Sequence, residues 1–136
     1  LVGMVTGTIA GLASITPAAG SVDPLQAVLI GAIAGILCQE AVNVVRNILN
    51  IDDTLDVFAV HGIGGIFGTL MIAIFGYTSF VTQLSGLIIV GVFTIIVTYV
   101  LIKVVSLITP LRVDEETETN GLDLSVHGER AYDVNS

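Results

Sequence analysis

Apolar residues fill the first 112 positions in four long stretches, which short segments rich in proline, glycine or aspartate separate. The stretches cover residues 1–16, 23–47, 53–76 and 82–109. Proline blocks the continuation of a helix and glycine permits a turn, so Pro17 and Gly20 end the first stretch and Pro110 ends the fourth. A membrane-spanning helix needs about 20 mostly apolar residues. The pattern therefore predicts an all-α membrane protein, a polytopic bundle of four transmembrane helices.

Charged residues are few and lie mainly at the C-terminal end. They make up 12% of the chain, and no Asp, Glu, Lys or Arg occurs from Val57 to Ile102. Soluble domains carry about 25% charged residues, which argues against a water-soluble fold. Four basic residues against twelve acidic ones argue against a nucleic-acid binder, because phosphate neutralisation needs Lys and Arg. We therefore predict a transmembrane region, residues 1–112, and a polar tail, residues 113–136.

The first stretch is short for a complete membrane crossing. Its 16 residues would form a helix roughly 24 Å long, against a hydrocarbon core of about 30 Å. The chain also begins with Leu1 and has no basic segment ahead of its apolar residues, unlike a signal peptide. We therefore expect the sequence to start inside a membrane helix and to belong to a longer protein.

The few basic residues predict an orientation. Arg46 lies between the second and third stretches, and Lys103 and Arg112 lie at the end of the fourth. These places share one side of the membrane if the spans alternate, and basic residues favour the cytoplasmic side. We expect a multi-pass protein of the plasma membrane with a cytoplasmic tail and with Asp23 on the external side.

Glycines recur every fourth residue in three of the four stretches. The positions are Gly3, Gly7 and Gly11, then Gly31 and Gly35, then Gly64 and Gly68. Small residues at this spacing let helix backbones approach closely in lipid. The spacing indicates tight packing within a polytopic bundle, with a single-span dimer motif as the alternative.

His61 is the only histidine in the uncharged stretch. Helical spacing places it on one face with Val57, with Gly64 or Gly65, and with Gly68, so we expect it to point towards neighbouring helices. Ionisable groups within a membrane usually mark an ion or proton path, and imidazole has an ordinary pKa near 6.5. We interpret His61 as a proton acceptor or donor that lines a pore. The alternative is a neutral histidine that holds an interhelical hydrogen bond.

Three aspartates, Asp52, Asp53 and Asp56, precede the third stretch. We expect Asp53 to be the N-cap and Asp56 to lie in the first turn, where negative charge is favourable. A cation site is the alternative, but no His or Cys cluster accompanies the aspartates. The chain also lacks a nucleophile–base pair, a phosphate loop and zinc-type spacing, so we predict no metal, no cofactor and no enzymatic activity.

The polar tail combines an acidic run with small apolar residues and turn glycines. The acidic run alone would indicate a solvated segment. The residues after it predict a docking or regulatory element. They are Gly121, Asp123, His127, Gly128, Glu129 and Tyr132.

Three segments are distinctive when taken together. They are the Thr16-Pro-Ala-Ala-Gly20 turn, the stretch from Ile51 to Gly62 that reads Ile-Asp-Asp-Thr-Leu-Asp-Val-Phe-Ala-Val-His-Gly, and the tail from Gly121 to Tyr132. Together they resemble the C-terminal part of the ammonium transporter (Amt/Mep/Rh) family. The resemblance extends over essentially the whole chain, and the stretch around the aspartates and His61 is its most specific part.

The resemblance implies a trimer of eleven-helix subunits, each with its own narrow hydrophobic pore, in which the four spans are helices eight to eleven. His61 would be the second of two mid-pore histidines that handle the ammonium proton. Val57 would be a pore-wall residue one turn earlier, and Thr16 a hydroxyl near the external recruitment site. The tail would lock neighbouring subunits together, and a PII-type signalling protein would be a partner at the cytoplasmic face.

The function predicted from the resemblance is conduction of ammonium or ammonia across the membrane, with ammonium, lipid and further copies of the chain as partners. A non-transporting membrane scaffold or ammonium sensor, with the tail as its working part, is the alternative. A solute channel outside this family is a third possibility, which requires the match around His61 to be coincidental.

Overall fold

The computed structural model describes residues 2–129, and this part of the chain contains helices and no strands. The prediction of an all-α fold is confirmed for these residues. The helices are α1 (Val2–Ile15), α2 (Pro24–Asn43), α3 (Gly64–Ile74), α4 (Phe80–Ser106) and α5 (Glu115–Asn120). A 3₁₀ turn over Thr16–Ala18 follows α1, and three π-helical turns accompany the helices, at Val44–Ile48, Phe58–Ile63 and Asp123–His127.

Two of the helices are long and apolar enough to cross a membrane. They are the 25-residue helix Pro24–Ile48, formed by α2 and its π turn, and the 27-residue helix α4. The helix Phe58–Ile74 is also apolar but shorter, and α1 has 14 described residues. The four helices lie where the sequence pattern predicts them, while the prediction that all four are membrane spans stays a prediction.

Local signals account for the ends of α2. The side chain of Asp23 accepts a hydrogen bond from the Gln26 backbone N–H at 2.9 Å, and the Gln26 side chain accepts from the Asp23 N–H at 3.0 Å. This reciprocal pair is a capping box, and Pro24 occupies the first helical position, where its missing N–H is harmless. The Tyr77 hydroxyl lies 3.0 Å from Gln26 Oε1 and joins the turn after α3 to the start of α2.

The chain divides into two compact units, Leu1–Gly91 and Val92–Ser136, with the boundary inside α4. In the first unit α1, α2 and α3 pack on one another around two small clusters of buried side chains. One cluster consists of Ala10, Cys38 and Val60, and the other of Ala18, Ile30 and Met71. The predicted division at residue 112 rests on polarity along the chain and stays a prediction.

Close contacts between backbones hold this three-helix layer together. A Cβ on Gly64 would lie 2.6 Å from Ser14 Oγ, and a Cβ on Gly68 would overlap the Ser14 carbonyl oxygen. Gly11 and Gly31 also face each other, since a Cβ on Gly11 would lie 3.8 Å from the Gly31 Cα. Small residues therefore let α1 approach both α2 and α3, as expected from the glycine spacing.

The second unit contains the end of α4 and the described part of the tail. No described residue of α4 is buried. The side chain of Asp114 accepts a hydrogen bond from the Thr117 N–H at 2.8 Å and caps the six-residue helix α5. Arg112 Nε donates to Glu118 Oε2 at 2.8 Å, and Arg112 Nη2 pairs with the other oxygen of the same carboxylate. These bonds tie α5 to the segment before it.

Candidate functional site

His61 lies in the π turn Phe58–Ile63, at the N-terminal end of the apolar helix Phe58–Ile74, and its side chain is exposed. Within residues 2–129, no hydrogen bond or ion pair joins the imidazole to another group. The neighbouring residues Ala59 and Val60 are buried against the other helices. The π turn therefore presents its titratable ring on the open side of the three-helix layer.

The expectation that His61 shares a face with Gly64 and Gly68 is wrong. Both glycines are buried against α1, whereas His61 and Val57 are exposed. A π turn closes its hydrogen bonds over five residues instead of four, so it takes up about one extra residue per turn. Residues before Gly64 are thereby rotated out of the α-helical register on which the expectation rested.

The buried side of the π turn packs on α1 and α2. Cys38 Sγ lies 3.8 Å from the Val60 carbonyl oxygen, to which it donates a weak hydrogen bond. Cys38 Sγ and Ser14 Oγ also fill the space that a side chain on Gly64 would need. The face beside His61 is therefore closed to larger side chains.

Asp53 and Asp52 make local hydrogen bonds before the π turn. Asp53 Oδ1 accepts from the Val57 N–H at 2.8 Å, and Asp53 Oδ2 accepts from the Phe58 N–H at 2.9 Å. Helix N-termini leave such N–H groups without intrahelical partners, so both carboxylate oxygens supply acceptors there. Asp52 Oδ1 accepts from the Thr54 hydroxyl at 2.9 Å.

Asp56 does not lie in the first turn of the helix, contrary to expectation, because the helix begins later than the predicted start at Asp53. Its φ is +55°, in the left-handed region, and it directly precedes the helical residues. Arg46 Nε lies 2.6 Å from Asp56 Oδ1, and this contact is an ion pair without hydrogen-bond alignment. Arg46 Nη2 also donates to the Thr54 carbonyl oxygen at 2.7 Å.

Arg46 served in the sequence only as an orientation signal, and its contact with Asp56 was not predicted. Nine residues that include an irregular loop lie between Arg46 and Asp56, so helical or strand spacing does not relate the two. The lone basic residue beside three aspartates was the available signal. The left-handed conformation of Asp56, which brings its carboxylate to the guanidinium, has no marker in the sequence.

Val57 and His61 stay one turn apart on the same helix, whereas Thr16 lies elsewhere. The Thr16 hydroxyl donates to the Leu12 carbonyl oxygen at 2.7 Å, in the turn that follows α1. This turn is next to the Ala18–Ile30–Met71 cluster, and Met71 is roughly 15 Å along the helix from His61 at 1.5 Å per residue. The structure thus places Thr16 and His61 at different levels of the three-helix layer.

The tail residues singled out in the sequence lie around two glycines with positive φ. Gly121 has φ +91° and ends α5, and Gly128 has φ +68° and ends the π turn that contains Asp123 and His127. The Glu129 N–H donates to the Asp123 carbonyl oxygen at 3.0 Å. Tyr132 lies outside the described residues.

Charges in the tail are held by local partners. The Thr117 N–H beside Asp114 lowers the pKa of that carboxyl, and the hydrogen bond from Arg112 lowers the pKa of Glu118.

No three His, Cys, Asp or Glu side chains in the described part of the chain lie close enough to share a metal ion.

Comparison with known proteins identifies the family. The sequence profile of the Ammonium Transporter Family matches residues 1–132. The chain is 42% identical to the ammonium transporter of Bacillus subtilis and 40% identical to a putative ammonium transporter of Methanothermobacter thermautotrophicus. Each match covers 97% of this chain and 37% of the relative, so the chain spans little more than a third of their length. No solved structure is significantly similar to it. The chain belongs to the ammonium transporter family.

Proposed function

We propose that this chain forms part of an ammonium transporter subunit that conducts ammonium or ammonia through a hydrophobic path past His61. The observation that carries the proposal is an exposed imidazole on a helix without charged residues, in a chain of this family. Soluble proteins expose histidines routinely, but an ionisable group on an apolar membrane helix is expected to face a cavity or a partner helix. The open side of the three-helix layer is where such a path would run.

The proposed route follows from the cost of charge in a membrane. An ammonium ion at the bilayer centre is unfavourable, whereas neutral ammonia crosses an apolar path more readily. The imidazole of His61 can accept the proton and return it, because one ring nitrogen of a neutral imidazole is an acceptor and becomes a donor once it is protonated. Val57, one turn earlier and half-exposed, supplies an apolar wall beside it.

Thr16 is the proposed polar contact at the external level. Its hydroxyl hydrogen is engaged by the Leu12 carbonyl group, which leaves the oxygen lone pairs available as acceptors. An ammonium ion carries only hydrogen-bond donors, so these lone pairs could accept a hydrogen bond from it. Recruitment at Thr16 and deprotonation near His61 would then occur at two separate levels of one helix layer.

The assembly is part of the same proposal. The subunits form a homotrimer in the plasma membrane, with helices eight to eleven of each subunit contributed by this chain and with the tail in the cytoplasm. The turns at Gly121 and Gly128 shape the tail for docking on a neighbouring subunit or on a PII-type signalling protein. The positions of Arg46 and Lys103 support a cytoplasmic tail under the positive-inside rule.

Uptake of labelled methylammonium by the full-length subunit that carries this chain tests the proposal. We expect His61→Gln to lower the initial rate by about tenfold or more, which corresponds to a barrier about 1.4 kcal/mol higher. Thr98→Val, at an exposed position of α4, is the control and should transport normally. Normal uptake by a folded His61→Gln protein would contradict the role of His61. Absence of uptake by the unmodified subunit, with an ammonium-dependent change in the tail, would favour a sensor instead.

A further inference from the structure

We infer that Arg46 is a positioning residue for His61. Arg46 acts by clamping the turn that precedes the π-helical segment, and the expected effect of this clamp on transport rests on the proposed function. Arg46 lies in the π turn at the end of the second helix, and His61 lies in the π turn that opens the third. The guanidinium contacts the loop between these two turns. The contact is thus placed to control how the third helix begins.

The geometry uses two nitrogen atoms of one guanidinium. Nε lies 2.6 Å from Asp56 Oδ1, and Nη2 donates to the Thr54 carbonyl oxygen at 2.7 Å. The side chain of Asp56 is 15% exposed and that of Arg46 is 43% exposed, so the pair is partly shielded from water. The planar fork of arginine can hold both partners at once, whereas a lysine ammonium acts as a single point charge.

Asp56 is the residue at which the loop changes into helix. Its left-handed backbone conformation is uncommon for residues other than glycine, although aspartate and asparagine tolerate it better than most. Its carbonyl oxygen accepts from the Val60 N–H at 2.8 Å, which is the first bond that leads into the helix. The ion pair with Arg46 therefore holds the carboxylate of the same residue whose backbone directs the helix.

The start of the helix decides which way His61 faces. Asp53 caps the N–H groups of Val57 and Phe58, and the Asp56 carbonyl oxygen accepts from the Val60 N–H, so these two aspartates fix the conformation in which the chain enters the π turn. Without the ion pair this start is released, and the π turn Phe58–Ile63 is free to rewind into the α register. His61 would then rotate towards the face of Gly64, which Ser14 and Cys38 already fill. The clamp thus keeps the imidazole on the open side.

The test measures the reactivity of His61 in the full-length subunit by diethyl pyrocarbonate modification at fixed pH, read by mass spectrometry. We expect Arg46→Gln and Asp56→Asn each to slow the modification of His61 several-fold, and Arg46→Lys to be intermediate. The double variant should be no slower than the single variants, because residues in one contact are not additive. Arg112→Gln breaks the equivalent fork in the tail and should leave the His61 rate unchanged.

Uptake kinetics, divided by the amount of folded transporter in the membrane, give a second measurement that a general loss of stability would not reproduce. The maximal rate of methylammonium uptake should fall in the Arg46 and Asp56 variants while the KM stays within twofold, because the Thr16 level is untouched. Unchanged His61 reactivity in folded Arg46→Gln and Asp56→Asn proteins would overturn the proposal. If Arg46→Gln does not fold, the His61 modification rate of Arg46→Lys is the test. A slower rate supports the proposal, and an unchanged rate overturns it. The reactivity result stands even if the subunit transports no ammonium, so failure of the clamp and failure of the proposed function are distinguishable.

Discussion

The backbone carbonyl oxygen of Ser14 occupies the position that a Cβ on Gly68 would need, so α1 and α3 meet with no space for a side chain at residue 68. Ser14 itself is completely buried. Its hydroxyl oxygen also fills the corresponding space beside Gly64. The interface thus depends on two glycines one helical turn apart.

Substitution at Gly68 should destabilise the three-helix layer. Overpacking of a filled interface usually costs about 1–3 kcal/mol, and backbone atoms cannot move aside as a flexible side chain can. We expect Gly68→Ala to lower the midpoint of thermal unfolding in detergent and Gly64→Ala to do so to a smaller extent. Gly65→Ala is the matched control, because a Cβ there meets nothing within 4 Å. Equal midpoints for the variants at 65 and 68 would contradict the observed packing.

The cap at Asp53 predicts a graded series of substitutions. Loss of an N-cap costs about 0.5–2 kcal/mol. Both carboxylate oxygens of Asp53 accept backbone hydrogen bonds, whereas asparagine offers one oxygen. Asp53→Asn should therefore be mildly destabilising and Asp53→Leu more so, as measured by chemical denaturation. If Asp53→Asn abolished uptake in a full-length protein that still folds, the negative charge itself would be required, and a cation-handling role would replace the capping role.

The helix α5 should be sensitive to acid. The pKa values of Asp114 and Glu118 are lower in the folded chain than in the unfolded one, so their ionised forms stabilise the fold. This contribution is fully present above the unfolded-state pKa values, at about pH 5 and higher, and is lost as the pH falls through the lower folded-state values. Amide NMR signals of residues 115–120 should keep helical shifts from pH 7 to about pH 5 and lose them below about pH 4.

Asp114→Asn and Glu118→Gln together provide the control for this acid transition. They remove both titrating groups, while asparagine still caps the helix. The pH dependence should then largely disappear. Loss of the helix between pH 5 and pH 7 in the unmodified chain would contradict the assignment.

The orientation prediction can be tested by cysteine labelling with a membrane-impermeant maleimide in intact cells. The single native cysteine, Cys38, is buried, so it should react little. Ser21→Cys is preferable to a change at Asp23, because Asp23 caps α2. We expect Ser21→Cys to react from outside and Glu116→Cys to react only after permeabilisation. The reverse pattern would overturn the predicted topology.

The positions of the helices could be read from the sequence because the signals that begin and end them are local. Proline at positions 17, 24 and 110 cannot lie inside a regular helix without loss of a hydrogen bond, and Asp23 caps its helix through residues only three positions away. The long apolar stretches required helices for similar reasons, since backbone groups in lipid must be paired within the chain. The family was also recognisable from the stretch that ends at His61 and Gly62.

Only the tertiary structure decided on which side of its helix His61 lies and which residues Arg46 contacts. Helical periodicity places residues on faces only if the winding is α-helical throughout, and the π turn at Phe58–Ile63 breaks that condition. The left-handed backbone of Asp56 and its ion pair with Arg46 depend on how two helix ends meet across a loop. Contacts of this kind arise from packing in three dimensions, and no spacing along the chain encodes them.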